Sequence, residues 1–420
     1  MVTITVTDPR IEQADTRSSF TSYLVSTKQG NAVRRRYSDF RWLYHRLQTE
    51  VPGAIVPIIP HTATFMSSKK FNIEFIEERR RDLQEFLLEI SLHPELCRAP
   101  SMTPFMLLNL GKDFDDGKKK VEHEIPTIFA DDGSNKSETG SQPQLTSARK
   151  GITNFFAKVR LTATSQELLT TENENEVLAL NKYVAEVQGL VKTLKKGSDA
   201  LLKSISNTGD AHNEIGVPIG FWRTSSMQDP QNQDGDTVHD MMAGIIKFSE
   251  EMSSLYTNKH KEQEVLFGQQ INKLTNTVYA FEIALDQRKK IQVDYTQIHN
   301  SLIEKNGAIE KAEKNLKPPE VTEKLNNERM ELESRIESER QRFDDVTKRV
   351  IRDGENCKPR LTEMLKNSFL SFAKAEASCS ARINEVCQHL ISDLEKGGDG
   401  GSELIPPPNP PPSAPPAPPS

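Results

Sequence analysis

No stretch of this 420-residue sequence approaches the eighteen or more apolar residues of a membrane span, and Met1 to Asp8 lacks the apolar core of a secretory signal. The chain is therefore expected in the cytoplasm, reaching membranes only by recruitment. Cysteine is scarce as well: Cys97, Cys357, Cys379 and Cys387 have neither CxxC spacing nor a small secreted scaffold around them. They are expected as free thiols, three of them on a helical seam. An excess of positive charge is missing too. The formal net charge of -6 argues against a coat for nucleic acid, although local basic clusters still bind anions. Catalytic signatures are also absent. The sequence has no paired His-Lys-Asp phosphodiesterase motif, no kinase glycine loop with its aspartate, no Gly-x-Ser-x-Gly and no His-Glu-x-x-His. His45, His61, His93 and His239 are scattered without ligand spacing. No enzyme, cofactor or metal is expected.

What is present divides into two kinds of chain. The length allows two or three domains. Before Leu110 the pattern is short, alternating and broken by proline, whereas beyond Gln166 long charged runs with helical apolar spacing dominate. Residues 2–7 alternate strictly, and Phe20 to Thr27 and Ala32 to Tyr37 continue as strands around the Gln29-Gly30-Asn31 turn. This predicts a three-stranded antiparallel meander. Ser38-Asp39-Phe40 offers a helix start ahead of Trp42, Leu43 and Leu47, closed by Pro52-Gly53. Val56-Pro57-Ile58-Ile59-Pro60 must be extended, and residues 61–72 read as an exposed loop. A second helix carries Phe75, Ile76, Leu83, Phe86, Leu87 and Ile90, interrupted by Arg79, Arg80 and Arg81, until His93-Pro94 ends it.

Residues 113–146 hold Asp-Asp-Gly twice and a Lys118-Lys119-Lys120 run without periodicity, and are expected to be a flexible linker. Residues 147–163 place Ile152, Phe155, Phe156 and Val159 at i, i+3, i+4 and i+7, flanked by Arg149, Lys150, Lys158 and Arg160. An apolar wedge bordered by cations suits an interfacial helix on an anionic leaflet; the alternative is a first turn docking on the helical bundle. From 164 to 396 three long helices are expected. Asn207 to Asp236 would interrupt the first, and Lys317-Pro318-Pro319 would separate the second from the third. The third carries an apolar stripe from Leu325 through Phe343, Val346, Val350, Cys357 and Leu361 to Leu394, which needs a partner along its length. Pro359 should kink it without ending it. Residues 397–420 are Gly-rich and then nearly all proline and alanine, a disordered or polyproline tail that fits SH3 or WW-type domains.

Anion recognition needs a guanidinium fork, a flat face and further donors, and Arg34-Arg35-Arg36-Tyr37 supplies the first two at a strand end. Arginines alone would also suit a solvated strand edge. The ordered set Arg-Arg-Tyr-Ser-Asp-Phe, Trp-Leu, Val-Pro-x-x-Pro, Phe-Ile-Glu-Glu-Arg-Arg and His-Pro-Glu-Leu resembles the PX domains of sorting nexins over residues 1–112. That resemblance implies that Arg36 clamps the 3-phosphate of phosphatidylinositol 3-phosphate, that Tyr37 packs on the inositol ring, and that Arg79 hydrogen-bonds the 4- and 5-hydroxyls. One position departs: Thr62 stands where many relatives carry a lysine for the 1-phosphate, and Lys69 or Lys70 are candidates to replace it. Phe65 and Met66 in the same loop either dip into the bilayer or pack back on the module.

The order of modules resembles the sorting nexins with a C-terminal BAR domain, which implies an α+β PX domain followed by an all-α BAR coiled-coil dimerisation domain. Expected partners are membranes containing phosphatidylinositol 3-phosphate, a second copy or another sorting nexin, and a retromer-type cargo complex; nucleic acid is not among them. The implied location is the cytosolic face of early endosome membranes. The segment after Asn207 and the stretch His93 to Arg98 lean toward recycling and autophagy-type members over retromer-type ones. A coiled-coil scaffold in which the PX-like half only recruits, without remodelling, remains the alternative.

Overall fold

Strict alternation in the first strand forces its residues onto two faces, and the structure follows it. A computed structural model describes residues 4–12, 19–28, 30–59, 72–125, 168–226, 235–316 and 318–396. Strands β1 (Ile4–Glu12), β2 (Phe20–Thr27) and β3 (Ala32–Arg36) form an antiparallel sheet in the order β1-β2-β3. Ile4 and Val6 are buried while Thr5 and Thr7 are exposed. Helix α1 (Tyr37–Glu50) lays Phe40, Leu43 and Leu47 on the sheet, and α2 (Ile73–Leu92) adds Leu83, Phe86, Leu87 and Ile90. Helix α2 also satisfies strand β1: Arg80 Nη1 donates to the Val6 carbonyl at 2.9 Å and Gln84 Nε2 to that of Ile4 at 2.6 Å. Helix α1 starts earlier than the Ser38 cap implies. Arg36 takes the cap position, and its N–H donates to Asp39 Oδ2 at 3.0 Å, so the aspartate acts from the first turn.

The expected linker from 113 is corrected at its start. After α3 (Met102–Leu107), helix α4 runs over Lys112–Glu124 and buries Phe114 and Val121 against α1. Two apolar residues one heptad apart are enough to anchor it, because Trp42 meets Phe114 edge-on and Arg46 Nη2 donates to the Ile125 carbonyl at 2.8 Å. Gly117, a poor helix former, allows a close approach here: a Cβ would lie 2.6 Å from Leu108 Cδ1 and 3.1 Å from Pro104 Cβ, so a larger residue would have to push the Leu108 side chain aside. The remainder of the linker from 126, the junction helix with Ile152, Phe155, Phe156 and Val159, and the tail from 397 lie outside the described residues.

The long helices are α5 (Glu174–Ser226), α6 (Gly235–Gln263), which passes through a π turn at Glu264–Gly268 into α7 (Gln269–Lys314), and α8 (Pro319–Lys396). Asn207 does not begin a break. Helix α5 continues through Pro218 to Ser226, since Gly209 and Gly216 let it close on α6 and His212 stacks on Tyr256 at 5.6 Å. Pro359 sits inside α8 without ending it.

The chain forms two compact units. The first joins residues up to Lys195 with Ile271–Lys366, and the second joins Lys196–Gln270 with the residues from Asn367 onward. In the first, Val177, Leu180, Val184, Leu274, Val278, Phe281, Phe343, Val346 and Val350 make a common core of α5, α7 and α8. Arg288 crosses it, donating to Thr347 Oγ1 at 3.1 Å and to Glu174 at 2.5 and 3.0 Å. The stripe on α8 is thus covered from Phe343 to Leu361 by the chain's own helices, whereas Leu365 and Leu394 are exposed. In the second unit Phe267 packs on Phe369 and Phe372, and Lys259 pairs with Glu376 at 2.8 Å.

Within the first unit the α+β module is held to α7 and α8. Arg349 bonds Glu95 at 2.5 Å and the Pro52 carbonyl at 2.6 Å; Arg352 bonds Glu95 at 2.6 Å; His93 Nε2 meets Asp353 Oδ2 at 2.9 Å. Lys273 pairs with Glu85 and Arg360 with Glu89. The tightest point is Gly53, whose φ of 81° favours glycine and whose N–H donates to Gln287 Oε1 at 2.8 Å. A Cβ there would lie 2.8 Å from Val346 Cγ1. Gly53→Ala is therefore expected to lower stability by about 2 kcal/mol through strain and overpacking, read as a fall in melting temperature. An unchanged melting temperature would mean that the two parts separate at this point in solution.

Candidate anion-binding site

Three consecutive arginines on one strand cannot share one environment, because neighbouring side chains point to opposite faces. Arg35 follows Val33 to the buried face and is 0% exposed. Its guanidinium donates to the carbonyls of Phe105 at 3.0 Å and Pro104 at 3.1 Å, and to that of Leu108, and it lies 4.0 Å over the Phe114 ring. Burial lowers its pKa to about 10, with Asp39 opposing. Arg34 is held by Asp8 Oδ2 and Ser22 Oγ, each at 2.9 Å. Arg36 differs from both: its side chain is 45% exposed and its Nε stands 3.6 Å from Asp39 Oδ1. The strand thus commits two forks to structure and leaves the third facing outward at the N-terminus of α1, where helix N–H groups favour an anion.

Next to Arg36, Tyr37 opens α1 and meets α2. The Arg79 guanidinium lies 4.6 Å over the Tyr37 ring and 4.2 Å over that of Phe75. Burial lowers the pKa of Arg79, while Tyr23 and Tyr37 oppose the shift. Its Nε is buried with no hydrogen-bond partner among the described residues. The structure therefore brings Tyr37 and Arg79 together with Arg36 as chain neighbour. Thr62, Phe65, Met66, Lys69 and Lys70 lie outside the described residues.

Sequence reasoning missed Lys118. It stands on α4, 16% exposed, with Nζ 2.9 Å from Asp115 Oδ1, 3.6 Å from Asp39 Oδ1 and 4.5 Å over the Phe114 ring. The only signals in the sequence were the Asp115 to Lys118 spacing and the apolar pair Phe114 and Val121, both hidden in a charged run. Among the described residues there is no group of three metal-ligating side chains, and no helix is long and apolar enough to cross a membrane. The four cysteines are free, with Cys357 and Cys379 buried.

Comparison with known proteins agrees with this layout. The PX domain family matches residues 23–108. Sorting nexin-4 of Gibberella zeae is 36% identical over 112 residues, 24% of this chain and 24% of that protein. That alignment spans about a quarter of the relative's length. Sorting nexin 1 of Arabidopsis thaliana is 21% identical over 403 residues, covering 94% of this chain and 92% of that protein. A cryo-EM structure of the SNX-BAR Mvp1 tetramer matches 92% of this chain and 99% of its own at a TM-score of 0.60 and 15% identity, a likeness of fold. The α+β module thus matches the PX domain family, and module and long helices together resemble the fold of an SNX-BAR protein.

Proposed function

We propose that this chain is a non-enzymatic peripheral membrane protein that binds phosphatidylinositol 3-phosphate on endosomes and senses or induces curvature for cargo sorting in retrograde or recycling transport. The observation that carries this reading is the outward fork of Arg36 beside the Tyr37 and Arg79 stack, on a module fixed to long helices. A phosphate meeting Arg36 gains charge-assisted hydrogen bonds, and Tyr37 offers a flat face for a sugar-like ring. Dimerisation through the helices is part of the proposal. Phe221 at 72% and Trp222 at 63% exposure in the second unit are large apolar surfaces that a partner chain would cover. The partner is either a second copy or a related sorting nexin, and a retromer-type complex is the proposed cargo adaptor.

The test uses the full chain and liposomes that differ only in phosphoinositide. Recruitment should require the 3-phosphate and fall when the 4- or 5-position is also phosphorylated, and electron microscopy should show tubules. Phe155→Glu with Phe156→Glu is expected to abolish tubules while leaving headgroup selectivity and dimer mass unchanged, because an inserted phenylalanine contributes up to about 1.5–3 kcal/mol. Recruitment by the wild-type chain without tubules would favour a scaffold with a PX recruitment module.

A further inference from the structure

We propose that Lys118, on a helix beyond the family match, tunes the anion pocket by drawing the charge of Asp39 away from Arg36. The inference rests on the reading that Arg36 receives a phosphate. Asp39 is 1% exposed, and its Oδ1 stands 3.6 Å from both Arg36 Nε and Lys118 Nζ. Its Oδ2 accepts the Arg36 backbone N–H at 3.0 Å. A buried carboxylate in this position competes with an incoming phosphate for the same fork, and without a second cation it also repels that phosphate.

Lys118 supplies the second cation. Its place does not depend on a ligand, because α4 is anchored by Phe114 and Val121 and by the bond from Arg46 to the Ile125 carbonyl. The Phe114 ring lies beneath the ammonium, and Asp115 accepts from it at 2.9 Å. The hydrogen bond from Lys118, with smaller contributions from Arg36 and Lys119, holds the Asp115 carboxyl below the usual range. Arg36 and Lys118 thus face Asp39 and Asp115, with the buried Arg35 also acting on Asp39. Removing Lys118 leaves Asp39 to Arg36 and to Arg35, whose guanidinium is already committed to backbone carbonyls, so the Arg36 fork that the phosphate needs is drawn closer to the carboxylate. Lys118 is in this sense a positioning residue. The ligand class is a phosphate monoester on a ring.

The experiment measures full-chain binding to liposomes with and without phosphatidylinositol 3-phosphate, and to soluble inositol 1,3-bisphosphate. Lys118→Met should weaken both about tenfold, Lys118→Arg should restore both, and Asp39→Asn should bind more tightly than wild type. In the Asp39→Asn background, Lys118→Met should have no further effect. Wild-type binding by Lys118→Met overturns the proposal. So does an equal loss in the Asp39→Asn background, which would make Lys118 a direct ligand. A loss with liposomes but not with the soluble headgroup also overturns it, since Lys118 would then be touching the bilayer. If Lys118→Met melts early, Lys118→Gln replaces it in the same cycle. Arg36→Ala is the separate control: if it binds like wild type, the pocket itself is refuted, whatever Lys118 does.

Discussion

Arg36→Ala should reduce binding to liposomes carrying phosphatidylinositol 3-phosphate by about two orders of magnitude, because a lost charge-assisted contact costs about 3 kcal/mol when its phosphate is left without a fork. The melting temperature should barely move. The Arg36 side chain is 45% exposed and its ion pair with Asp39 is a long one of 3.6 Å, worth little at the surface. The two neighbouring arginines should behave differently. Arg35 is fully buried on backbone carbonyls, so its replacement would unfold the module before any question of lipid arose. A headgroup assay on folded Arg36→Ala that matched wild type would remove the pocket.

Phe343→Ala is expected to destabilise the helical half by about 3–5 kcal/mol, the usual cost of removing a fully buried aromatic side chain. The ring is 1% exposed, lies 5.9 Å from that of Tyr295 and has the Arg288 guanidinium 4.7 Å above it. A urea titration followed by helical circular dichroism should show a lower midpoint for the variant. From the sequence, Phe343 and Val346 look like residues between two copies, and glutamate at both would split a dimer. Their burial inside one chain changes that expectation: such a variant unfolds the helices. A normal midpoint with halved mass would return Phe343 to an interface between copies.

The contrast shows where sequence pattern stops. The stripe on α8 implied a partner along its length, and the chain's own helices cover it from Phe343 to Leu361, but periodicity does not say whether a partner is another molecule or α5 and α7 of the same chain. The sheet, α1 and α2 were legible because alternation and spacing act over a few residues. Helix α4 was not, since two apolar residues in a run of aspartates and lysines acquire meaning only when Trp42 and Arg46 are beside them. Among the arginines, parity alone sends Arg35 inward with Val33. The acceptors that make a buried guanidinium tolerable lie about seventy residues away, at Pro104 and Phe105. The stretch from Asn207 was read as an interruption, yet close packing on α6 keeps the helix intact through Pro218 to Ser226.

The attachment of the α+β module to α7 and α8 has a kinetic consequence. Pro52 and Gly53, Glu85, Glu89, His93 and Glu95 each hold a group on those helices, so the pocket moves with them as one piece. On a slack tether, a captured headgroup would leave the helices searching a large volume before a second foothold on the same bilayer was found. On a fixed mount, that second contact begins at high effective concentration, and dissociation requires both to let go at once. Modest headgroup affinity then suffices for long residence, and loosening the mount at Gly53 should shorten dwell time on membranes even where equilibrium binding to a soluble headgroup is unchanged.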